Sequence, residues 1–106
     1  MKIVWSKKAS EKLDIYLAYC RDNYGDHKVD EKVRKLEKLT NRLLSFPEMG
    51  FPEPILKDYP QLYRAYIFDK RLKIIYYIEN QLTIKITDLW DSKCNPDKLK
   101  ADFIKY

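Results

Sequence analysis

Residues 61–89 read QLYRAYIFDKRLKIIYYIENQLTIKITDL, and the fold turns on how this stretch is read. Apolar and polar side chains alternate through most of it with a period of two, the period of a β-strand. Turn-forming residues break the pattern at Asp69-Lys70 and again at Glu79-Asn80-Gln81. Three strands follow, over 62–68, 71–78 and 82–89, and connections this short make them an antiparallel meander.

Working outward, Pro47, Gly50, Pro52, Pro54 and Pro60 crowd the segment just upstream. A stretch so rich in proline cannot hold a ladder, and it is expected to wrap an edge of the fold as a loop. Phe46, Met49, Phe51, Ile55 and Leu56 anchor it. Further upstream the period becomes helical. Ala9, Leu13, Tyr16, Leu17, Cys20 and Tyr24 form one stripe; Val29, Val33, Leu36, Leu39, Leu43 and Leu44 form a second. Ser6 is placed to cap the first helix and Gly25 to end it. Asp26 is placed to cap the second, which Pro47 stops. So short a link makes the pair an antiparallel hairpin. Ile3, Val4 and Trp5 give an N-terminal strand, and Asn95-Pro96 opens a short C-terminal helix carrying Leu99 and Phe103. The expected fold is α+β over one domain, 1–106: an N-terminal strand, a helix hairpin packed on an antiparallel sheet with a three-strand meander, and a short last helix.

Composition narrows the functional classes. Hydrophobic residues make up 45% and charged residues 35%, enough for a core and unlike a disordered tail. No apolar run approaches the roughly 20 residues that span a bilayer. The opening segment does not read as an export signal, so a cytoplasmic location with Cys20 and Cys94 reduced is expected. The formal charge of +5 points to an anionic partner. Residues 1–46 hold 11 Lys/Arg against 7 Asp/Glu, and residues 47–106 hold 10 against 9, so the excess lies mainly in the helical half. With only Gly25 and Gly50 there is no Gly-rich phosphate loop, and His27 is the sole histidine. Nothing therefore points to a metal, a cofactor or a Ser/His or Cys/His nucleophile.

Strand parity sorts the side chains of the meander. Ala65 and Ile67, Ile74 and Ile78, and Ile84 and Ile86 are the sets expected to meet the helices. Arg64, Tyr66, Lys73, Tyr77, Lys85 and Thr87 then gather on the opposite face, with Lys93 just beyond. A face of cations and rings suits phosphate contacts, base stacking or a protein partner. Cations and tyrosines can also stabilise a pentacoordinate phosphate while a ribose 2′-hydroxyl attacks its own phosphodiester, with no metal.

These residues, taken in order, resemble the RelE/ParE superfamily of toxins from type II toxin–antitoxin modules. The resemblance runs through Ile3-Val4-Trp5-Ser6-Lys7-Lys8-Ala9 and Leu13-Asp14-Ile15-Tyr16 to the Pro-x-x-Gly loop Phe46-Pro47-Glu48-Met49-Gly50. It continues with Tyr63-Arg64, Ile74-Ile75-Tyr76 and the closing Asp91-Ser92-Lys93-Cys94-Asn95-Pro96. It implies a small growth-inhibiting toxin neutralised by a cognate acidic antitoxin. RelE-like members cut mRNA on the ribosome with cations on the sheet. For that activity the resemblance assigns catalytic places to Arg64, Tyr66, Lys73 and Lys93, although Tyr66 stands where the family often has Lys and Lys93 where it usually has Arg. Lysine keeps the charge but loses the planar bidentate grip on phosphate. ParE-like members instead inhibit DNA gyrase, and the Pro-x-x-Gly-x-Pro loop, the Tyr-Arg pair and the long hairpin lean that way. A module that only pairs with its antitoxin is the third reading.

Overall fold

A computed structural model describes residues 1–70, 72–91 and 96–104 of the chain. Strand β1 (Lys2–Trp5) leads into helix α1 (Lys7–Tyr24) and helix α2 (Asp26–Ser45). A two-residue strand β2 (Phe51–Pro52) and a 3-10 turn (Pro54–Leu56) precede the meander. Its strands are β3 (Arg64–Asp69), β4 (Leu72–Asn80) and β5 (Thr83–Asp91), and helix α3 (Pro96–Ile104) follows.

The helix boundaries fall where local chemistry puts them. The Ser6 hydroxyl accepts from the Ala9 amide, 3.1 Å away, and satisfies one of the orphan donors of α1. Gly25 adopts φ +88°, a conformation that costs glycine little, and turns the chain between the helices. It is both the last cap of α1 and the first of α2, so Asp26 is the first residue of α2 rather than its cap. Pro47 lies two residues beyond the end of α2.

The sheet order is β1-β5-β4-β3-β2. The meander is antiparallel as expected, but β1 runs parallel to β5, with Ile3 opposite Ile84 and Trp5 opposite Ile86, so the sheet is mixed. A parallel neighbour requires a crossover, and the helix hairpin with the meander provides it. The proline-rich loop also makes one short pairing: Phe51 lies opposite Ala65 and Pro52 opposite Arg64. This strand is on the sheet edge, where a missing N–H is tolerated.

Apolar side chains cover both faces of the sheet, and this overturns part of the parity assignment. The main core lies under the hairpin and joins Ala9, Leu39 and Leu43 to Phe68, Ile74, Tyr76, Ile84, Ile86 and Leu89. A second core lies on the opposite face and contains Leu56, Tyr63, Ala65, Ile75, Trp90 and Leu99. In β4 and β5, Ile74, Ile84 and Ile86 face the helices as expected. In β3 the sides are exchanged: Tyr66 and Phe68 pack under the hairpin, and Ala65 belongs to the second core. Parity fixes which residues share a side but not which side meets the helices, and here both sides are apolar. A register shift between Ile67 and Asp69, and another beside Ile75 and Tyr76, interrupt the alternation further. The face expected to be open is closed by the 3-10 turn and α3. No helix among the described residues is long and apolar enough to cross a membrane.

Candidate functional site

Three of the motif segments meet at one structural joint. Tyr76 is fully buried at the middle of β4, and its hydroxyl donates to the Pro47 carbonyl at 2.8 Å and accepts from the Gly50 amide at 2.9 Å. Burial raises the Tyr76 pKa above its ordinary 10.0, so the phenol stays protonated and able to donate. Arg64, opposite Tyr76 in the ladder, donates through Nη1 to the carbonyls of Gly50 (2.8 Å) and Glu48 (3.2 Å). A Cβ at Gly50 would stand 2.6 Å from the Tyr76 oxygen and 2.8 Å from the Ala65 carbonyl, so this close approach requires glycine. The Pro-x-x-Gly loop, the Tyr-Arg strand and the apolar-Tyr strand are thus one clamp. Two side chains, Tyr76 and Arg64, hold the carbonyls of Pro47, Glu48 and Gly50.

The four residues assigned to a nucleolytic site do not gather on one face. Arg64 and Tyr66 share the hairpin side of β3, where Arg64 grips the loop and Tyr66 packs on the main core. Lys73 is on the other face, its ammonium 2.8 Å from a Glu53 carboxylate oxygen. Both partners are largely shielded, 14% and 2% exposed, and the ammonium lies 5.7 Å from the Trp90 ring centre and 5.9 Å from that of Phe51. A buried pair of this kind adds little net stability, yet breaking it strands a charge. Tyr77, also expected on an open surface, packs edge-on to Tyr63 with ring centres 5.5 Å apart. Phe103 of α3 covers the same cluster at 5.0 Å from Tyr63 and 6.0 Å from Trp90. Lys93 lies outside the described residues.

Two carboxylates that carried no weight in the sequence organise the rest. Asp69, at the end of β3, accepts from Tyr16 of α1 at 2.6 Å and from Lys32 of α2, with Lys35 at 3.7 Å. Burial pushes its pKa upward, but the Lys32, Tyr16 and Lys70 amide hydrogen bonds outweigh that and hold the group well below the usual carboxylate range. Burial, followed by the Asp69 charge, pushes the Tyr16 phenol far above its ordinary 10.0. Asp88 is completely buried and takes four donors: Lys8 (3.0 Å), Lys12 (2.7 Å), the Trp90 indole (2.8 Å) and the Leu89 amide (2.8 Å). One carboxylate pins both helices to β3, and the other pins the start of α1 to β5. The signal for them was faint: Asp69 directly follows Phe68, and Asp88 stands two residues before Trp90. Among the described residues, no group of three or more His, Cys, Asp or Glu is arranged to hold a metal.

Next to the clamp lies a mainly apolar groove. Shallow and about 690 Å³ in volume, it opens between Met1, the end of α2 at Ser45 and Phe46, the loop residues Pro47 and Met49, and Ile78 of β4, with Glu48 on its wall. Phe46 is 65% exposed at its mouth. Beside it a second groove of about 520 Å³ shares Glu48 and Ile78 and adds Arg64, Leu62 and Glu79. The clamp therefore shapes both grooves.

Comparison with known proteins returns toxins. A family model described as the ParE toxin of the type II toxin–antitoxin system parDE matches residues 3–96. Among solved structures, the chromosomal ParDE toxin–antitoxin system from P. aeruginosa superposes with a TM-score of 0.68 at 17% identity, over 88% of this chain and 97% of that one. The YoeB/ParE toxin from Agrobacterium tumefaciens gives 0.59 at 16% identity, over 86% and 98%. The E. coli DinJ–YafQ complex gives 0.53 at 16% identity, over 85% and 91%. A search of curated protein sequences returned no match.

Proposed function

The chain belongs to the family of ParE toxins of type II toxin–antitoxin systems, and from that premise we propose that it blocks growth by binding DNA gyrase, not by cutting RNA. The dispersal of the candidate catalytic residues supports this reading. Arg64 turns its Nη1 to loop carbonyls, while Lys73 sits on the opposite face of the sheet against Glu53. A phosphodiester held by one of these cations would lie across the sheet from the other, whereas electrostatic catalysis needs donors converging on one oxyanion. Inhibition by binding asks only for a rigid surface, and the clamped loop with its grooves is one. An acidic antitoxin would match the +5 charge of the chain.

The decisive comparison uses the purified chain in two assays. Supercoiling by DNA gyrase is expected to fall in proportion to added protein, and mRNA in a translating extract is expected to remain intact at the same concentrations. Ribosome-dependent cleavage with unchanged supercoiling would overturn the proposal in favour of a RelE-like nuclease.

A further inference from the structure

One side of α1 carries a pattern that complements itself. Lys12, Ile15, Tyr19 and Asp22 follow at spacings of three, four and three, the seam spacing of paired helices. At about 100° per residue they fall within about 80° of the helix circumference. Ile15 is 70% exposed, the highest value of any large apolar side chain among the described residues, and Tyr19 is 56% exposed. Tyr24, its ring centre 6.3 Å from that of Tyr19, extends the patch. Clustered apolar side chains left in water mark a contact surface. The charges stand at its two ends. Lys12 is 36% exposed, and Asp22 is exposed with no cation in ion-pair contact among the described residues. One turn before Lys12 the seam position is Lys8, buried against Asp88, and there the exposed seam stops.

We propose that α1 pairs with α1 of a second copy of this chain, antiparallel about a two-fold axis. An axis level with Leu17, the midpoint of the seam, sets Lys12 of each copy against Asp22 of the other and Ile15 against Tyr19. Charge selects both the occupant and the direction. A parallel pair would oppose Lys12 to Lys12 and Asp22 to Asp22, and a uniformly acidic or basic partner would match one end of the seam and repel the other. Contact of a surface with itself about a two-fold closes at two copies. An ammonium has three donors, and Lys12 commits two of them, to the Asp88 carboxylate at 2.7 Å and the Leu89 carbonyl at 3.4 Å, so one remains for the second copy's Asp22. The seam runs about 15 Å. A single helix pair of that length buries less than the roughly 1,200 Å² at which stable interfaces begin, so the dimer is reversible. The seam shares no residue with the clamp or with either groove.

Sedimentation of the purified chain from about 5 to about 500 μM tests this directly. The wild type is expected to pass from monomer to dimer across that range. Ile15→Glu and, separately, Asp22→Lys are each expected to weaken the dimer about tenfold or more. Both positions are exposed, and circular dichroism checks that the variants stay folded. Cross-linking reads the direction. Ile15→Cys chains mixed with Tyr19→Cys chains are expected to form the mixed disulfide in preference to either like-with-like product, with the wild type as the background for Cys20 and Cys94. A monomer at every concentration would overturn the proposal, as would a dimer that both Ile15→Glu and Asp22→Lys leave intact. Preferential joining of like positions would overturn the antiparallel pairing and the proposal with it. The supercoiling and mRNA assays are read separately from all of these outcomes.

Discussion

Replacing Tyr76 by phenylalanine removes a single oxygen from the centre of the molecule and isolates the clamp. The ring stays in the main core, so packing volume is nearly unchanged. Two groups lose their partner: the buried Gly50 amide, 2.9 Å from the hydroxyl, and the Pro47 carbonyl, 2.8 Å away. An unsatisfied buried amide costs about 1–3 kcal/mol, and a half-buried carbonyl that can turn to water costs about 0.5–1.5 kcal/mol. The expected loss is therefore about 1.5–4.5 kcal/mol. With a urea slope of about 1.5 kcal/mol/M, the unfolding midpoint falls by about 1–3 M at unchanged slope. Arg64 holds the same loop through the Gly50 and Glu48 carbonyls. In a double-mutant cycle, Arg64→Gln and Tyr76→Phe should then depart from additivity by more than about 0.5 kcal/mol. A midpoint shift below about 0.3 M, or strict additivity of the two changes, would refute the claim that this phenol and this guanidinium jointly hold the loop.

The ionic joints give further expectations. Lys73→Met strands Glu53, 2% exposed, and should cost about 3–5 kcal/mol in thermal unfolding; adding Glu53→Gln should recover much of it, and no recovery would contradict the buried pair. Asp88→Leu leaves Lys8, Lys12 and the Trp90 indole without their shared acceptor and should also cost about 3–5 kcal/mol, so a loss under about 1 kcal/mol would argue against the joint. The Asp69 pKa is held below its ordinary 3.8, so its stabilisation is present above about pH 4 and fades as the pH falls further. The stability gap between wild type and Asp69→Asn should accordingly narrow on acidification, and a gap independent of pH would count against the assignment. Tyr16 behaves in the opposite sense. Its folded pKa is raised above 10.0, so the unfolded chain ionises first and stability falls as the pH rises past about 10, a fall that Tyr16→Phe should lessen in alkaline titration.

Much of the architecture was legible because its causes are local. Ser6, Gly25 and Pro47 mark helix ends through their own hydrogen bonding and backbone freedom, and each marks the boundary expected of it. Asp26 differs only because Gly25 fills the cap position. The strands of the meander emerged from periodicity to within a few residues. The candidate site was far less legible. Arg64 and Lys73 are both cations in alternating strands, and no local property tells that one turns to the Pro47–Gly50 loop and the other to Glu53, twenty residues away. Asp69 looked like an ordinary turn residue and Asp88 like an ordinary polar strand residue. Their weight comes from lysines and a tyrosine that the helices bring from 34 to 80 positions away.

Order of elements, helix ends, strand phase and net charge are properties of short stretches of chain, and these the amino-acid sequence settles. It also shows that the three loop and strand motifs occur in order, though not that they form one clamp. Side assignment is of another kind. A strand has two faces, and which one meets a helix depends on the relative gain from covering each. In this chain both faces are apolar, because the hairpin covers one and the 3-10 turn with α3 covers the other. That choice is made by packing between distant segments, so the cations divide between faces in a way that periodicity within a strand cannot reveal.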